Sequence, residues 1–391
     1  MIVSGYLALG LAYARATPAW QAPDEPAHYN YVAYVAERGQ LPVLEPGDYP
    51  AGKIPIGPRA RPADISEFRY ESHQPPLFYA LAALAFLVDR SAFALRTLSV
   101  LFGAGLLVAT FLCARTSLPR RPWLWLAVPA FVAFIPMHLF VAGSVENDSL
   151  SELVLSTLLL GVLSAWPAAV LGLLLGLAVL TKVTIYVPAL LLVAAAVRRR
   201  AGAAAQALAA AMVVSGWWIV RNALTYGWAD PLAQRRQAEV AGSQVQSSGF
   251  GLPELWRFAA TSFRSFWGQF GWMSIPLTER EYRALIVLTA LACAGWFVVA
   301  IRRQPLPSGW PFLALAWVGV VAGDLAYNLK FVQPQGRYLF PALVPIAIFY
   351  VAGFAALFPR RAQPAALGAL SMALLAFSAY ALQRDLVPGF R

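Results

Sequence analysis

The chain has 391 residues, 59% of them hydrophobic and 13% charged, with a formal net charge of +11 and a mean hydropathy of +0.60. Soluble chains carry about 25% charge, so a water-soluble globule is excluded. A nucleic-acid partner is also not expected: the arginines flank hydrophobic runs, as cytoplasmic loops do, and do not gather on one basic face. Alternating segments of ~10 residues, the mark of a membrane β-barrel, are absent.

Taken in chain order, the apolar runs predict an all-α polytopic transmembrane bundle of about 11 spans: 1–16, 93–114, 122–143, 150–166, 167–181, 183–197, 204–220, 284–301, 309–328, 338–357 and 364–382. The first ends in Ala14-Arg15-Ala16, which resembles a cleavage sequence, but no basic residues precede it, and it is read as a retained span. The spans form a single domain, 1–391, with extracytoplasmic regions at 20–92 and 221–283. Arg120-Arg121, Arg198-Arg199-Arg200, Arg302-Arg303 and Arg360-Arg361 are expected on the cytoplasmic side. That requires the run from Pro75 to Val88, too short to span, to lie along the outer interface. Glu146–Asp148 and Gln333–Arg337 then emerge on the same outer side as the 20–75 loop. Cys113 and Cys293 fall in apolar spans, so neither a disulfide framework nor a cysteine metal site is expected.

Eight of the 19 acidic residues, and His28 and His73 of the three histidines, fall between positions 20 and 75. Carboxylates at a membrane surface are costly without a partner or a task. Asp24 or Glu25 followed by Pro26 predicts a helix start, with Gly39 as its stop. Residues 40–70 read as irregular. In the second outer region the aromatic run Phe266–Trp272 suits an interfacial helix.

Asp24 fits two roles, capping that helix or accepting a proton from an attacking hydroxyl. Glu25 and His28 match E-x-x-H, which places both side chains on one helix face. With Glu71 and His73 they could hold a divalent cation in an open three-ligand site. No cofactor is required by the sequence. Asp148, next to Glu146 and Asn147, either caps the helix that follows or joins Asp24. Arg96, Lys182, Arg221 and Arg337 lie near the outer boundary, where such residues snorkel or hold a phosphate at headgroup depth. These residues alone point to a membrane enzyme or transporter with an outer polar site.

Pro23-Asp24-Glu25-Pro26-Ala27-His28, Arg38-Gly39-Gln40-Leu41-Pro42 and Glu71-Ser72-His73-Gln74-Pro75-Pro76-Leu77-Phe78-Tyr79 resemble the GT-C glycosyltransferases, membrane enzymes related to protein O-mannosyltransferases and the lipid A aminoarabinose transferase. The subgroup with a His-Gln-Pro-Pro-Leu-like motif, long described as a domain of unknown function, is the nearest match. The resemblance continues through Leu95–Val100, Val145–Asp148, Gly176–Lys182, Trp218–Asn222 and Gln335–Leu339, in order, over about residues 20–340.

The resemblance implies transfer of a sugar from a polyprenyl-phosphate donor at the outer face of the bilayer, the bacterial inner membrane being the expected location. Asp24 would be the general base and Asp148 the second carboxylate. Lys182 and Arg337, with Arg96 and Arg221 less securely placed, would hold the phosphate. Glu25, His28, Glu71, His73, Gln74 and Tyr338 would complete the donor and substrate pocket. A direct displacement would invert the anomeric centre. With no sizeable soluble module after the last spans, recognition of a protein acceptor by an appended domain is not expected, and the acceptor, whether lipid, glycan or protein, stays open. The alternatives are a transporter or flippase for an anionic lipid-linked sugar and a non-catalytic GT-C-like assembly protein. Spans nearly free of charge, apart from Asp324, argue against a polar route across the membrane.

Overall fold

The computed structural model describes residues 1–53, 62, 64–242, 251–331 and 333–391. Its elements are α1 (Ile2–Ala16), α2 (Glu25–Arg38), α3 (Leu77–Val88), α4 (Ala92–Ser117), α5 (Pro122–Ala133), α6 (Pro136–Ala142), α7 (Asp148–Leu163) and α8 (Ala168–Val179), followed by α9 (Tyr186–Val197), α10 (Ala201–Tyr226), α11 (Gln234–Val240) and α12 (Leu252–Trp267). A two-stranded antiparallel ribbon, β1 (Gln269–Phe270) and β2 (Ile275–Pro276), leads into α13 (Glu279–Ile301), α14 (Trp310–Asn328), α15 (Leu343–Ala356) and α16 (Gln363–Ala381).

The fold is the all-α membrane bundle that the sequence predicts, and each of the eleven segments is largely helical. The number of crossings differs. Among the described residues six segments are long and apolar enough to cross a bilayer alone: α4, α10, α13, α14, Gly336–Ala356 and Gln363–Gly389. The pair α5 and α6 makes a seventh if its 64° bend is counted within one span. The bend falls where Ile135 is extended before Pro136, because a residue preceding proline is driven out of the helical region. Helices α1 and α8 have only 15 and 12 residues, below the ~20 a span needs. Helix length thus gives six or seven crossings rather than eleven.

With no hydrophobic force between helices in lipid, close backbone approach holds them together. Gly172 and Gly176 of α8 form a small-xxx-small stripe against α10. A Cβ on Gly172 would lie 2.1 Å from the Ala207 carbonyl oxygen. Helix α7 is largely enclosed, packed by α4, α8, α9 and α14. It carries Asp148 at its first turn, towards the end of the bundle where α2 sits.

The two ends of the bundle differ in chemistry. Helix α4 begins beside α2, where Arg96 meets Glu25, and runs 26 residues, about 39 Å at 1.5 Å per residue. At its far end the Ser117 carbonyl accepts from Ser308 N, and Arg121 bonds Gln304. The arginine-bearing turns at 120–121 and 302–303 are therefore remote from the acidic loop, as the charge pattern predicts.

One local expectation is met: helix α2 stops at Gly39, in the left-handed region at φ 63°. Helix α3 has 12 residues, buries Phe78, Tyr79, Ala82 and Phe86, and leaves Leu84, Leu87 and Val88 exposed. The aromatic run at 266–272 is a correction. The helix stops at Trp267, Gly268 breaks it, and Phe266, Trp267 and Phe270 are buried against Phe131, Phe140 and Phe340. The exposed apolar stripe belongs instead to the start of α12, at Leu252, Leu255 and Trp256.

Candidate functional site

Four carboxyl groups and two cations from distant parts of the chain meet at the α2 end of the bundle. Arg337 opens a 3-10 turn, Gly336–Ala342, that is wedged against α12. Gly336 N donates to Ser265 Oγ at 2.7 Å, and a Cβ on Gly336 would lie 2.2 Å from Phe266 N. Only glycine permits that approach. The buried guanidinium so positioned donates from Nη2 to Asp24 Oδ2 at 2.5 Å and from Nη1 to Glu146 Oε2 at 2.9 Å, and Asp148 Oδ2 lies 3.9 Å away. Lys182, between α8 and α9, bonds Asp148 Oδ1.

Asp24 does not cap α2. Its backbone is left-handed at φ 64°, and its side chain makes no capping bond. This conformation is uncommon outside glycine, though aspartate tolerates it, and the carboxylate is free to turn into the site. Tyr70 OH donates to Oδ1 at 3.1 Å. Burial works to raise the Asp24 pKa, but the charge and hydrogen bond of Arg337 prevail and hold it below the usual carboxylate value. Glu146 goes the other way: burial, helped by the charge on Asp148, pushes its pKa well up despite Arg337. Glu146 Oε1 and Asp148 Oδ2 lack other hydrogen-bond partners, which fits a proton carried by Glu146 and shared with Asp148.

A cavity of about 340 Å³ opens on this cluster. Asp24, His28, Glu71, Lys182, Arg337 and Tyr338 line it, and so do the apolar Val183, Val187, Val320 and Gly323. Val187 is half exposed. Glu71 is raised to about 7, first by burial and then by the nearby charge on Asp24. Its side chain bonds Gln74.

Of the residues expected from sequence, Asp24, Asp148, Lys182 and Arg337 join in the ionic centre, and His28, Glu71, His73, Gln74 and Tyr338 line the same cavity. His28 Nδ1 is paired with Tyr79 OH at 2.7 Å, and burial drives its pKa to about 3. His73 Nδ1 donates to the Tyr70 carbonyl at 3.0 Å, and burial lowers it to about 4. Both rings are neutral near pH 7. The Gln74 amide oxygen accepts from Asn147 at 3.4 Å, tying the loop to the start of α7. The Arg337 guanidinium lies 5.4 Å from the Tyr338 ring centre, and Tyr338 OH donates to Gln333.

Three expected residues serve the scaffold instead. Arg96 is buried with all five N–H donors used: two on the Glu25 carboxylate, the others on the carbonyls of Ala14, Thr17 and Pro18. It has none to spare for a phosphate. Glu25, fully buried, also accepts from Trp20 N and Val145 N, so it is occupied and not a metal ligand with His28. Among the described residues no group of three or more His, Cys, Asp or Glu side chains is placed to hold a metal ion. Arg221 stacks on Trp218 and Tyr226 and donates to the Pro42 carbonyl at 2.6 Å, pinning the 42–44 segment to α10.

The sequence reasoning passed over Glu146, Tyr70, Tyr327 and Asp324. Glu146 stands two residues before Asp148, and that spacing was its only signal. Asp324 lies within α14 and lines the cavity, with one oxygen bonded to Asn328 and the other without a hydrogen-bond partner.

Known proteins match this chain by fold and not by sequence. No protein-family model matches it, and no curated protein does. The crystal structure of ArnT from Cupriavidus metallidurans bound to undecaprenyl phosphate superposes with a TM-score of 0.54 at 13% identity, over 98% of this chain and 73% of that one. ArnT from the same organism in the apo state gives a TM-score of 0.50 at 13% identity, over 98% and 72%. The chain therefore has the fold of the GT-C membrane glycosyltransferases that its Pro23–His28 and Glu71–Tyr79 segments resemble.

Proposed function

We propose that the protein is an integral-membrane glycosyltransferase of the bacterial inner membrane. It moves a sugar from a polyprenyl-phosphate donor to an acceptor hydroxyl at the extracytoplasmic face. The observation that carries this reading is the cavity in which Lys182, Arg337 and Asp24 meet apolar residues such as Val183, Val187 and Val320. A ligand with an anionic head and an apolar tail suits such a lining. The undecaprenyl phosphate in the ArnT structure supports the same chemical class.

In the reaction, the acceptor oxygen attacks the anomeric carbon while the carbon–oxygen bond to the lipid phosphate breaks, with oxocarbenium character in between. Arg337 and Lys182 stabilise the charge that gathers on the departing phosphate. Asp24 receives the hydrogen bond of the acceptor hydroxyl as general base. A single displacement inverts the anomeric centre. The test is transfer by purified protein in liposomes from a panel of radiolabelled polyprenyl-phosphate sugars. One donor giving an inverted product is expected. Transfer from none, or a product that retains the donor's configuration, overturns the reaction as written.

A further inference from the structure

We propose that Glu71 is the residue on which the acceptor's proton comes to rest. The inference rests on the transfer reaction above and deepens it. Of the four carboxyl groups in the cluster, Asp24 and Glu146 are ion-paired to Arg337, and Asp148 is paired to Lys182. Among the described carboxyl groups that line the cavity, Glu71 and Asp324 have no ion pair, and of these two Glu71 is the one next to a residue that holds Asp24. Its neighbour Tyr70 holds Asp24 through the phenol, so the two carboxylates are fixed to one loop segment.

The charges in the cluster give Glu71 its part. Asp24 and Asp148 balance Arg337 and Lys182, and burial favours the neutral form of Glu146. Glu71 adds to this centre a carboxyl group without an ion pair. Asp24 accepts bonds at both oxygens, from Tyr70 and Arg337. It is held ionised and is therefore a poor resting place for a proton, although well placed to orient the hydroxyl. The other charged or titratable groups facing Glu71 are His28 of α2, Tyr70 and His73 of its own loop, Tyr79 of α3, Lys182, Tyr327 of α14 and Arg337. Both histidines are held neutral and the cations are paired. Glu71, with its pKa near 7 and the charge of Asp24 beside it, can exchange a proton at working pH.

As the acceptor oxygen bonds to the anomeric carbon, its O–H bond breaks. The proton passes by way of Asp24 to Glu71, and the electron pair of the broken carbon–oxygen bond leaves with the lipid phosphate. Glu71 then loses the proton to water at the cavity mouth. No oxidant or further reactant is needed.

The test is the pH dependence of single-turnover transfer, between about pH 5.5 and 8.5, with the donor that the wild type uses. The wild-type rate is expected to rise with pH through a limb near or above 7. Glu71→Gln should lose that limb and fall about 100-fold in rate, with donor affinity within about twofold. Glu71→Asp keeps a carboxylate and should keep a limb, displaced in pH; it carries the test if Glu71→Gln does not fold. A wild-type profile flat across this range, or a Glu71→Gln enzyme with the wild-type limb and rate, overturns the proposal and leaves the glycosyltransferase reading intact. Absence of transfer by the wild type defeats that reading instead.

Discussion

Arg337 and Asp24, 313 positions apart in the chain, are joined by a hydrogen-bonded ion pair of 2.5 Å in the lining of the cavity. The pair ties the first loop to the turn that precedes α15. It also fixes the charge state of both partners: the carboxylate stays ionised and the cation faces the cavity beside it.

The placement of Arg337 depends on Gly336. Gly336→Ala would drive a methyl into the backbone of α12, and the turn must shift. Overpacking of this kind costs ~1–3 kcal/mol. The expected result is a lower unfolding temperature in detergent together with a loss of transfer larger than the loss of folded protein.

Lys182 lines the cavity and faces the same region as Arg337. Lys182→Met should raise the donor KM about tenfold, since one charge-assisted contact to phosphate is lost. Steady-state kinetics across donor concentrations measures it. An unchanged KM with an unchanged kcat would place the phosphate elsewhere.

The Glu25–Arg96 pair predicts stability rather than catalysis. Both side chains are buried, and removing one partner leaves an uncompensated charge, at ~3–5 kcal/mol. Arg96→Met should therefore unfold far more readily than the wild type, while the double change Glu25→Leu with Arg96→Met recovers most of the loss. Thermal unfolding of the wild type and the two variants decides it. A double variant as unstable as the single one would contradict the assignment.

His28 and His73 give the pH response a sign. Burial lowers their pKa values to about 3 and about 4, against about 6.5 when unfolded. Between pH 6.5 and 4 the unfolded chain binds protons that the folded one does not. Stability from these two groups is thus present above 6.5 and is lost as pH falls through that window. His28→Gln and His73→Gln should each flatten the acid limb of the unfolding temperature against pH.

Much of this site can be read in the sequence. The Asp24, Asp148, Lys182 and Arg337 segments carry motif resemblance, and the positions of the arginine clusters place them at one end of the bundle. What the sequence does not carry is which partner each side chain meets. Arg96 and Lys182 look alike in a string, each a lone cation in apolar surroundings, yet one has every donor on the scaffold and the other faces the cavity. Glu146 was masked by its neighbour Asp148. The span count of eleven is not confirmed, for a related reason. A 12-residue helix such as α8 and a bent pair such as α5 and α6 are both apolar runs, and hydropathy does not separate a crossing from a partial one.

Single-turnover transfer from polyprenyl-phosphate sugars by the wild type and by Asp24→Asn, compared in the same liposomes, reaches the central claim most directly. The wild type is expected to transfer the sugar. Asp24→Asn is expected to bind polyprenyl phosphate and to transfer at least 100-fold more slowly, the ~10²–10⁴ range of a general base. An Asp24→Asn protein as active as the wild type would contradict it.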